Sequence, residues 1–544
     1  MTVTDETLPG GVRPPVTESA ELTAHRERIR RRLIPAAPTD RLAGWLGALA
    51  VTALAAFLRL WNLDEPKAFV FDETYYAKDA WGLLNYGYEQ DYVSKADEQI
   101  LRGNTDVFSD TASYVVHPPL GKWIIASGEQ LFGLNPFGWR IAVAILGTLS
   151  VLLLARLVRR VTGSTVLGTI AGFLLAIDGL HLVMSRTALL DLPLSFFLLL
   201  AFGALVLDRE QGRQRAADRL EQFEVSSLGP GLGFRPWRLV AGLLLGLALA
   251  TKWNAIFFIA AFGLLTVWWD VSARRVAGAR SPWLGALAKD ALPAFLTIVP
   301  IAIVTYVVTW SGWIFSSDST KPSQAGGFYR SWGAENPSTY FAWVPDWLRS
   351  LWHYHSEAWR FHTGLTDDHS YQSHPWSWLV QGRPVSFYYE EYGRGELGCH
   401  VDKCAREVLG VGNPVIWWSA AAAIVVMVWL VLSKRDWRAG AVLASLAAGW
   451  LPWFWYADHE GRTMFSFYAV SFLPFLIMAI TICLGFVLGP SHASPTRRTV
   501  GATAVGAYLL LAALASAALL PLWWAEVIPY QEWLDRLFGL RSWV

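Results

Sequence analysis

The sequence predicts an all-α polytopic membrane protein, a bundle of about 11 transmembrane helices whose outer-face loops carry interfacial helices. Three observations support that expectation. Of the 544 residues, 53% are hydrophobic and 16% charged, whereas soluble domains run near a quarter charged. The mean hydropathy of +0.32 is concentrated in repeated apolar runs, close to the ~20 residues that cross a bilayer and without the alternating polarity of barrel strands. Basic residues, finally, collect in alternate connecting segments.

Residues 1–41 are polar, proline-containing and basic ("HRERIRRRLIP"); no secretory signal is visible, and the segment reads as a disordered cytoplasmic tail. A transmembrane domain over 42–523 follows. Its spans are expected at 42–61, 137–155, 164–182, 189–207, 239–251, 254–269, 291–313, 414–432, 439–456, 463–488 and 499–523. The fifth and sixth are short for a crossing and are separated only by "TKW". With the amino terminus inside, the inner segments 1–41, 156–163, 208–238, 270–290, 433–438 and 489–498 hold 25 of the 45 Lys and Arg residues, which satisfies the positive-inside rule. The first outer loop, 62–136, has eleven acids against four bases between residues 64 and 110, and the large outer loop, 314–413, is aromatic and mixed in charge. Residues 524–544 form an outer carboxyl-terminal segment. The inner segment 208–238 reads as a surface helix and linker. The net charge of +1 says little about partners, and no nucleic acid is expected among them.

The stretch "VFDETYYAKDAWG" sets Asp72 and Glu73 side by side in an apolar, aromatic frame just beyond the first span. Desolvation and repulsion between neighbours raise the proton affinity of such a carboxylate, as a general base near neutral pH requires. Arg140, Arg186, Lys252 and Arg462 stand at the outer ends of later spans, with Asp191 beside Arg186. One such cation is ordinary interfacial anchoring. Four on the face where topology favours acids suggest a shared anion, and a phosphate fits. In "VPDWLRSLWHYHSEAWRFHTGL", Trp347, Leu351, Tyr354 and Ala358 fall near one helical face, which suits a helix lying in the interface. Five histidines of that loop have no compelling ligand spacing, so no zinc site is expected. Cys399 and Cys404 in "CHVDKC" favour a small disulfide loop in an oxidising compartment over metal ligation.

Taken together, "FDETYYAKDA", "HPPLGKWII" from His117, "SRTALLDLPL" from Ser185, "LATKWNAIF" from Leu249, "SHPWSWLVQGRPVSFYY" from Ser373 and "GRTMFSFYAVSFLPFL" from Gly461 resemble the protein O-mannosyltransferases of the glycosyltransferase C superfamily. The resemblance covers nearly the whole chain after the tail. It implies a glycosyltransferase C-type bundle that takes mannose from polyprenyl phosphate mannose. The acceptors it implies are Ser or Thr hydroxyls of unfolded secretory proteins, met at the outer face of the plasma membrane and within reach of the secretion channel. The family's acidic motif carries over onto Asp72 and Glu73. Asp191, His117, His374 and Trp376 become candidates for sugar or acceptor contact. Eukaryotic members insert a β-trefoil domain in the large outer loop; residues 314–413 leave no room for one, so the sequence resembles a bacterial, actinobacterial-type member.

The mechanism expected on this basis is a single inverting displacement. Asp72 takes the acceptor proton, Glu73 orients the acceptor or tunes Asp72, and the four cations hold the phosphate as its charge grows. No metal or other cofactor is favoured, because a monophosphate donor develops modest charge. The competing reading is a sister enzyme with the same donor and a lipid or cell-wall glycan acceptor. A transporter would need ionisable groups near mid-membrane, and the charges singled out lie at helix ends.

Overall fold

The computed structural model describes residues 20–34, 38–220, 227–316, 326–490 and 492–543. Its principal helices, in chain order, are α1 (Ala20–Leu33), α2 (Arg41–Leu60), α3 (Glu73–Tyr86), α4 (Leu120–Phe132), α5 (Pro136–Thr162), α6 (Thr165–Ile177), α7 (Gly179–Arg186), α8 (Asp191–Asp218), α9 (Pro236–Thr251), α10 (Ala255–Val276), α11 (Pro282–Thr309), α12 (Asp346–Gly364), α13 (Pro414–Lys434), α14 (Trp437–Trp450), α15 (Leu473–Leu488) and α16 (Pro495–Trp523). Caps written into the sequence set several starts. Asn135, Ser164, Asp178, Asn413, Asp436 and Ser494 each accept a backbone N–H of the first turn, and proline follows at once in α5, α13 and α16.

Each expected span overlaps a helix, but the one expected over 463–488 becomes α-helical only at Leu473, after an irregular and 3-10 stretch. Length and apolarity qualify seven of them to cross a membrane (α2, α5, α8, α10, α11, α13 and α16), and eight if the bent pair α6–α7 is one span. The expected count of eleven goes beyond this, because α9, α14 and α15 are only 14 to 16 residues long. α8 runs through the centre of the bundle with 78% of its apolar window buried, whereas α11, at 17%, lies on the perimeter.

The third span differs from the straight helix expected over 164–182: it breaks at Asp178 with a 60° bend. A break inside an apolar bundle strands backbone groups that must find partners. Arg59, fully buried at the end of α2, donates to the carbonyls of Leu175 and Ala176 and to Ser185 Oγ, closing α6 from outside. Asp178 caps α7 by accepting from His181 N, and its other oxygen accepts from Asn413 N and Trp417 Nε1.

Two further expectations change. The part of the basic tail over Ala20–Leu33 is helix α1, held where Arg213 donates to the carbonyls of Arg32 and Leu33 and where Leu33 packs with Ala216, Ala217 and Leu232. Residues 1–19 and 35–37 of that tail lie outside the described residues. The described part of segment 208–238, which excludes residues 221–226, does more than form a surface helix and linker. α8 continues to Asp218, and Asp208 and Asp270 are buried between Arg235 and Arg238, with Arg235 2.6 Å from Asp208 and 3.1 Å from Asp270. Paired this way, four mixed charges join three helices at one end of the bundle.

At the other end, called the site end, α3, α4 and α12 pack over the helix termini. Two small sheets also lie there within the mostly helical fold: β1 (Gln90–Tyr92) with β2 (Phe108–Ala112), and the antiparallel set β3 (Val385–Gly393), β4 (Lys403–Gly410) and β5 (Ile528–Pro529) in that order. A Cys399–Cys404 disulfide closes the β3–β4 hairpin. α12 buries Leu351, Tyr354 and Ala358 on one face and leaves Trp352 77% exposed on another.

Asn413 joins these parts. Its Oδ1 accepts from Val415 N and Ile416 N, and its Nδ2 donates to Ala512 O and Ser516 Oγ, each at 2.7 Å. Asn413→Ala removes a cap and two buried interhelical bonds, a loss of about 2–3 kcal/mol. Thermal unfolding in detergent is expected at a clearly lower temperature than wild type; an unchanged midpoint would contradict this role.

Candidate active site

The site is built where α3 begins. Asp72 precedes the helix and Glu73 opens it, an end that favours negative charge. Consecutive helical positions point about 100° apart, so the two carboxylates diverge. Glu73 turns fully inward. Its oxygens accept from Arg140 Nε and Nη2, both at 2.8 Å, and from the backbone N–H of Val70 and Ala188, both at 2.9 Å. Arg140 gives its remaining N–H groups to the carbonyls of Leu63, Pro66 and Ala68.

That geometry revises two phosphate assignments. Arg140 is buried with all five donors engaged inside the protein, so none is left for an anion. Arg186 spends its Nη groups on the carbonyls of Leu58, Arg59, Trp61 and Asn62, where they satisfy the last turn of α2. Both cations build the frame behind Glu73. Glu73 itself is walled off and cannot orient an acceptor.

Asp72 faces the other way. It is in no ion pair among the described residues, and the Tyr76 hydroxyl, one turn on, helps to hold its proton affinity down. Burial, helped by the charge of Asp191, pushes the Asp72 carboxyl up to about 6, while Lys252 and Tyr76 hold it from rising further. The acid that adds to the shift of Asp72 is Asp191. Both oxygens of Asp191 lie 2.9 Å from Lys252 Nζ, and that ammonium sits 4.6 Å from the centre of the Tyr468 ring. Asp191 opens α8 and Lys252 ends α9, so two helix breaks deliver the pair.

His117 closes another side, 6.1 Å from the Tyr76 ring and 5.1 Å from the His362 ring. Burial and the cations Lys252, Lys122 and Arg462 hold His117 well below its ordinary range, and burial brings His362 down to about 4. Both imidazoles are therefore neutral near pH 7. Arg462 Nε donates to His362 O at 2.9 Å, and its buried Nη1 has no hydrogen-bond partner among the described residues. A guanidinium N–H left without an acceptor is costly unless an anion takes it. Beneath the site, Lys122 is buried against Glu89 and Asp79 and donates to His117 O, fixing that loop.

Of the residues expected from sequence, Asp72, Asp191, Lys252, His117 and Arg462 come together. His374 and Trp376 do not join them. His374 Nε2 lies 3.0 Å from Asp458, and Trp376 is 64% exposed, because the 3-10 turn Pro375–Val380 points Trp378 inward instead. Tyr76, Tyr468 and His362 were not singled out. The spacing of four between Asp72 and Tyr76 on a helix could have revealed the first; nothing local marks the other two. Among the described residues no group of three or more His, Cys, Asp or Glu side chains is arranged to hold a metal ion.

The family model described as dolichyl-phosphate-mannose-protein mannosyltransferase matches residues 49–316, and that of the C-terminal four-TMM region of protein-O-mannosyltransferase matches 347–536. A polyprenol-phosphate-mannose–protein mannosyltransferase of Mycobacterium tuberculosis is 39% identical over 526 residues, 94% of each chain. Its namesake from Corynebacterium glutamicum is 35% identical over 483 residues, 87% of this chain and 88% of that one. Among solved structures, the Saccharomyces cerevisiae protein O-mannosyltransferase Pmt1-Pmt2 complex bound to the sugar donor superposes with a TM-score of 0.66 at 15% identity, covering 96% of this chain and 95% of that one. At that identity the likeness is one of fold.

Replacing Arg140 by Met leaves the Glu73 carboxylate buried without its cation. Loss of one partner of a buried pair costs about 3–5 kcal/mol. The variant is expected to melt at a markedly lower temperature, and Arg140→Met/Glu73→Leu to recover much of that loss. Equal melting of the single variant and wild type would show that the pair is not the anchor of α3.

Proposed function

Because the chain belongs to the dolichyl-phosphate-mannose-protein mannosyltransferase family, we propose that it transfers mannose from polyprenyl phosphate mannose to Ser or Thr hydroxyls of proteins. The observation that carries the site assignment is the split fate of two adjacent acids: Glu73 is locked to Arg140, whereas Asp72 is left unpaired beside Lys252 and Tyr76. Asp72 is the general base. The acceptor oxygen bonds to C1 of mannose as the bond from C1 to the phosphate oxygen breaks, its proton passes to Asp72, and the polyprenyl phosphate leaves with the electron pair. One displacement of this kind inverts the anomeric centre.

The other residues have parts that follow from their contacts. Arg462, with Nη1 free, binds the phosphate, and Lys252 adds positive charge nearby. Such preset charge stabilises the leaving group as it forms. Asp191 fixes Lys252 and keeps the proton affinity of Asp72 high enough for a base. Neutral His117 and His362 can donate or accept toward sugar hydroxyls. With two cations in position, the reaction needs no divalent metal.

We assign the site end to the extracytoplasmic face of the plasma membrane. Two features support this: the basic segments gather at the opposite end, and the disulfide lies on the hairpin whose Phe387 packs against Phe71, as suits an oxidising compartment. An unfolded acceptor would meet the enzyme there as it leaves the secretion channel.

Purified protein given polyprenyl phosphate mannose and a Thr-rich peptide, with a chelator present, is expected to add one hexose to the peptide, read by mass spectrometry. Asp72→Asn is expected to lower turnover about a hundred- to ten-thousandfold at normal expression. Transfer to lipid alone, full activity in the variant, or activity only after a divalent ion is restored would each overturn the corresponding part.

The pH dependence has a definite sign. Asp72 must be ionised to act, and its affinity in the free protein is raised to about 6, so kcat/KM is expected to be flat above about pH 7 and to fall about tenfold per pH unit below 6. His362, at about 4, cannot produce that limb. A limb near pH 4 would exclude Asp72 as the base in the form described.

A further inference from the structure

We propose that the free edge of β3 docks the acceptor polypeptide, which adds to the sheet as an extended strand and so delivers a hydroxyl side chain to Asp72. The inference rests on the protein mannosyltransferase reading and specifies how its acceptor is held. β3 spans nine residues, Val385–Gly393, and pairs with β4 on one side only; β5 lies beyond β4. Among the described residues no backbone hydrogen bond from another element reaches the outer edge of β3. Exposed edges are normally blunted by proline, charged side chains, bulges or brevity; "VSFYYEEYG" is nine residues long without proline or lysine, its one bulge lies at the inner end, and its two acids are engaged with neighbouring tyrosines and Lys403.

The strand also leads to the right place. Val385 and Phe387 are buried, whereas Tyr389, Glu390 and Glu391 are exposed, so the edge runs from the surface inward. At its inner end the Phe387 ring lies 5.1 Å from Phe71, the residue before Asp72, and 5.4 Å from Phe467, the residue before Tyr468. A bulge between Ser386 and Tyr388 interrupts the regular pairing at that point. Bulges near active sites re-aim the chain, and here one would let a docked peptide leave the sheet and turn a side chain into the pocket. The six residues from Tyr388 to Gly393 extend about 20 Å at ~3.3 Å per residue, enough to hold five or six acceptor residues.

The chemistry suits an unfolded acceptor. Strand addition draws its affinity from main-chain hydrogen bonds, which every polypeptide offers, and leaves side chains to set preference. The side chains of β3 are occupied with each other: Tyr388 and Tyr392 both donate to Glu390, and Tyr389 donates to Glu391, which also pairs with Lys403 at 2.9 Å. They brace the strand and leave its backbone edge as the point of attachment.

A scan of single N-methyl groups along a Thr-containing acceptor peptide tests this on the wild-type enzyme. Only alternate N–H groups of a paired strand face its neighbour. N-methylation at every second position on one side of the Thr is therefore expected to raise KM about tenfold with kcat little changed, and methylation between them to have little effect. Mannosylation of the unmethylated peptide is measured in parallel. If that peptide is not mannosylated, the functional reading itself fails. If it is mannosylated but the methylated peptides show a flat profile, or losses without the two-residue alternation, strand docking is overturned and the function stands.

Discussion

The ion pair between Glu73 and Arg140 is the constraint on which the site depends. It ties the start of α3 to α5, takes the backbone of Val70 and Ala188 into the same cluster, and through Arg140 gathers the carbonyls of Leu63, Pro66 and Ala68. The loop from the first span, the first outer helix and the α7–α8 junction are thereby held at one point. Buried ion pairs contribute little net stability compared with apolar packing of the same volume. What this one supplies is direction: with Glu73 pinned inward, the preceding residue has to face the pocket.

The remaining site charges arrive through breaks in helices. Asp191 opens α8, Lys252 stands between α9 and α10, and Arg462 and Tyr468 lie in the irregular stretch before α15. Non-helical backbone within a membrane bundle survives only where it is buried in protein or lines a polar cavity. Here the freed groups are satisfied by Arg59 and Asp178 around the α6–α7 break and by Arg186 at the end of α2. Two classes of buried cation result, one that repairs backbone ends and one that faces the pocket.

Sequence could not tell those classes apart. Arg140, Arg186, Lys252 and Arg462 share the same local signal, a cation at the end of an apolar run, yet whether the guanidinium meets carbonyls of its own chain or open space is decided by contacts far away in sequence. The long spans were legible because apolar length is a local property, and α12 because its face repeats with helical period. The charges at the ends of segment 208–238 are illegible for the converse reason: Asp208, Arg235 and Arg238 look solvated until Asp270, from another helix, completes the cluster. Asp72 was readable as a candidate from its aromatic frame, and burial is the largest cause of its raised proton affinity, but the neighbouring acid that adds to it is Asp191, not Glu73.

That substitution explains why two adjacent acids are useful at all. If both faced the pocket, mutual repulsion would split their affinities, leaving one strongly acidic and the other protonated through much of the physiological range. Neutralising Glu73 with Arg140 removes that coupling. The affinity of Asp72 is then set by burial and Asp191 pulling it up against Lys252 and Tyr76 pulling it down, and it comes to rest at about 6. A base at that level is ionised at neutral pH yet still binds a proton far better than an exposed aspartate. The same Lys252 that tempers Asp72 faces the pocket with positive charge, so in the proposed reaction one ammonium would couple the strength of the base to the charge that receives a departing phosphate.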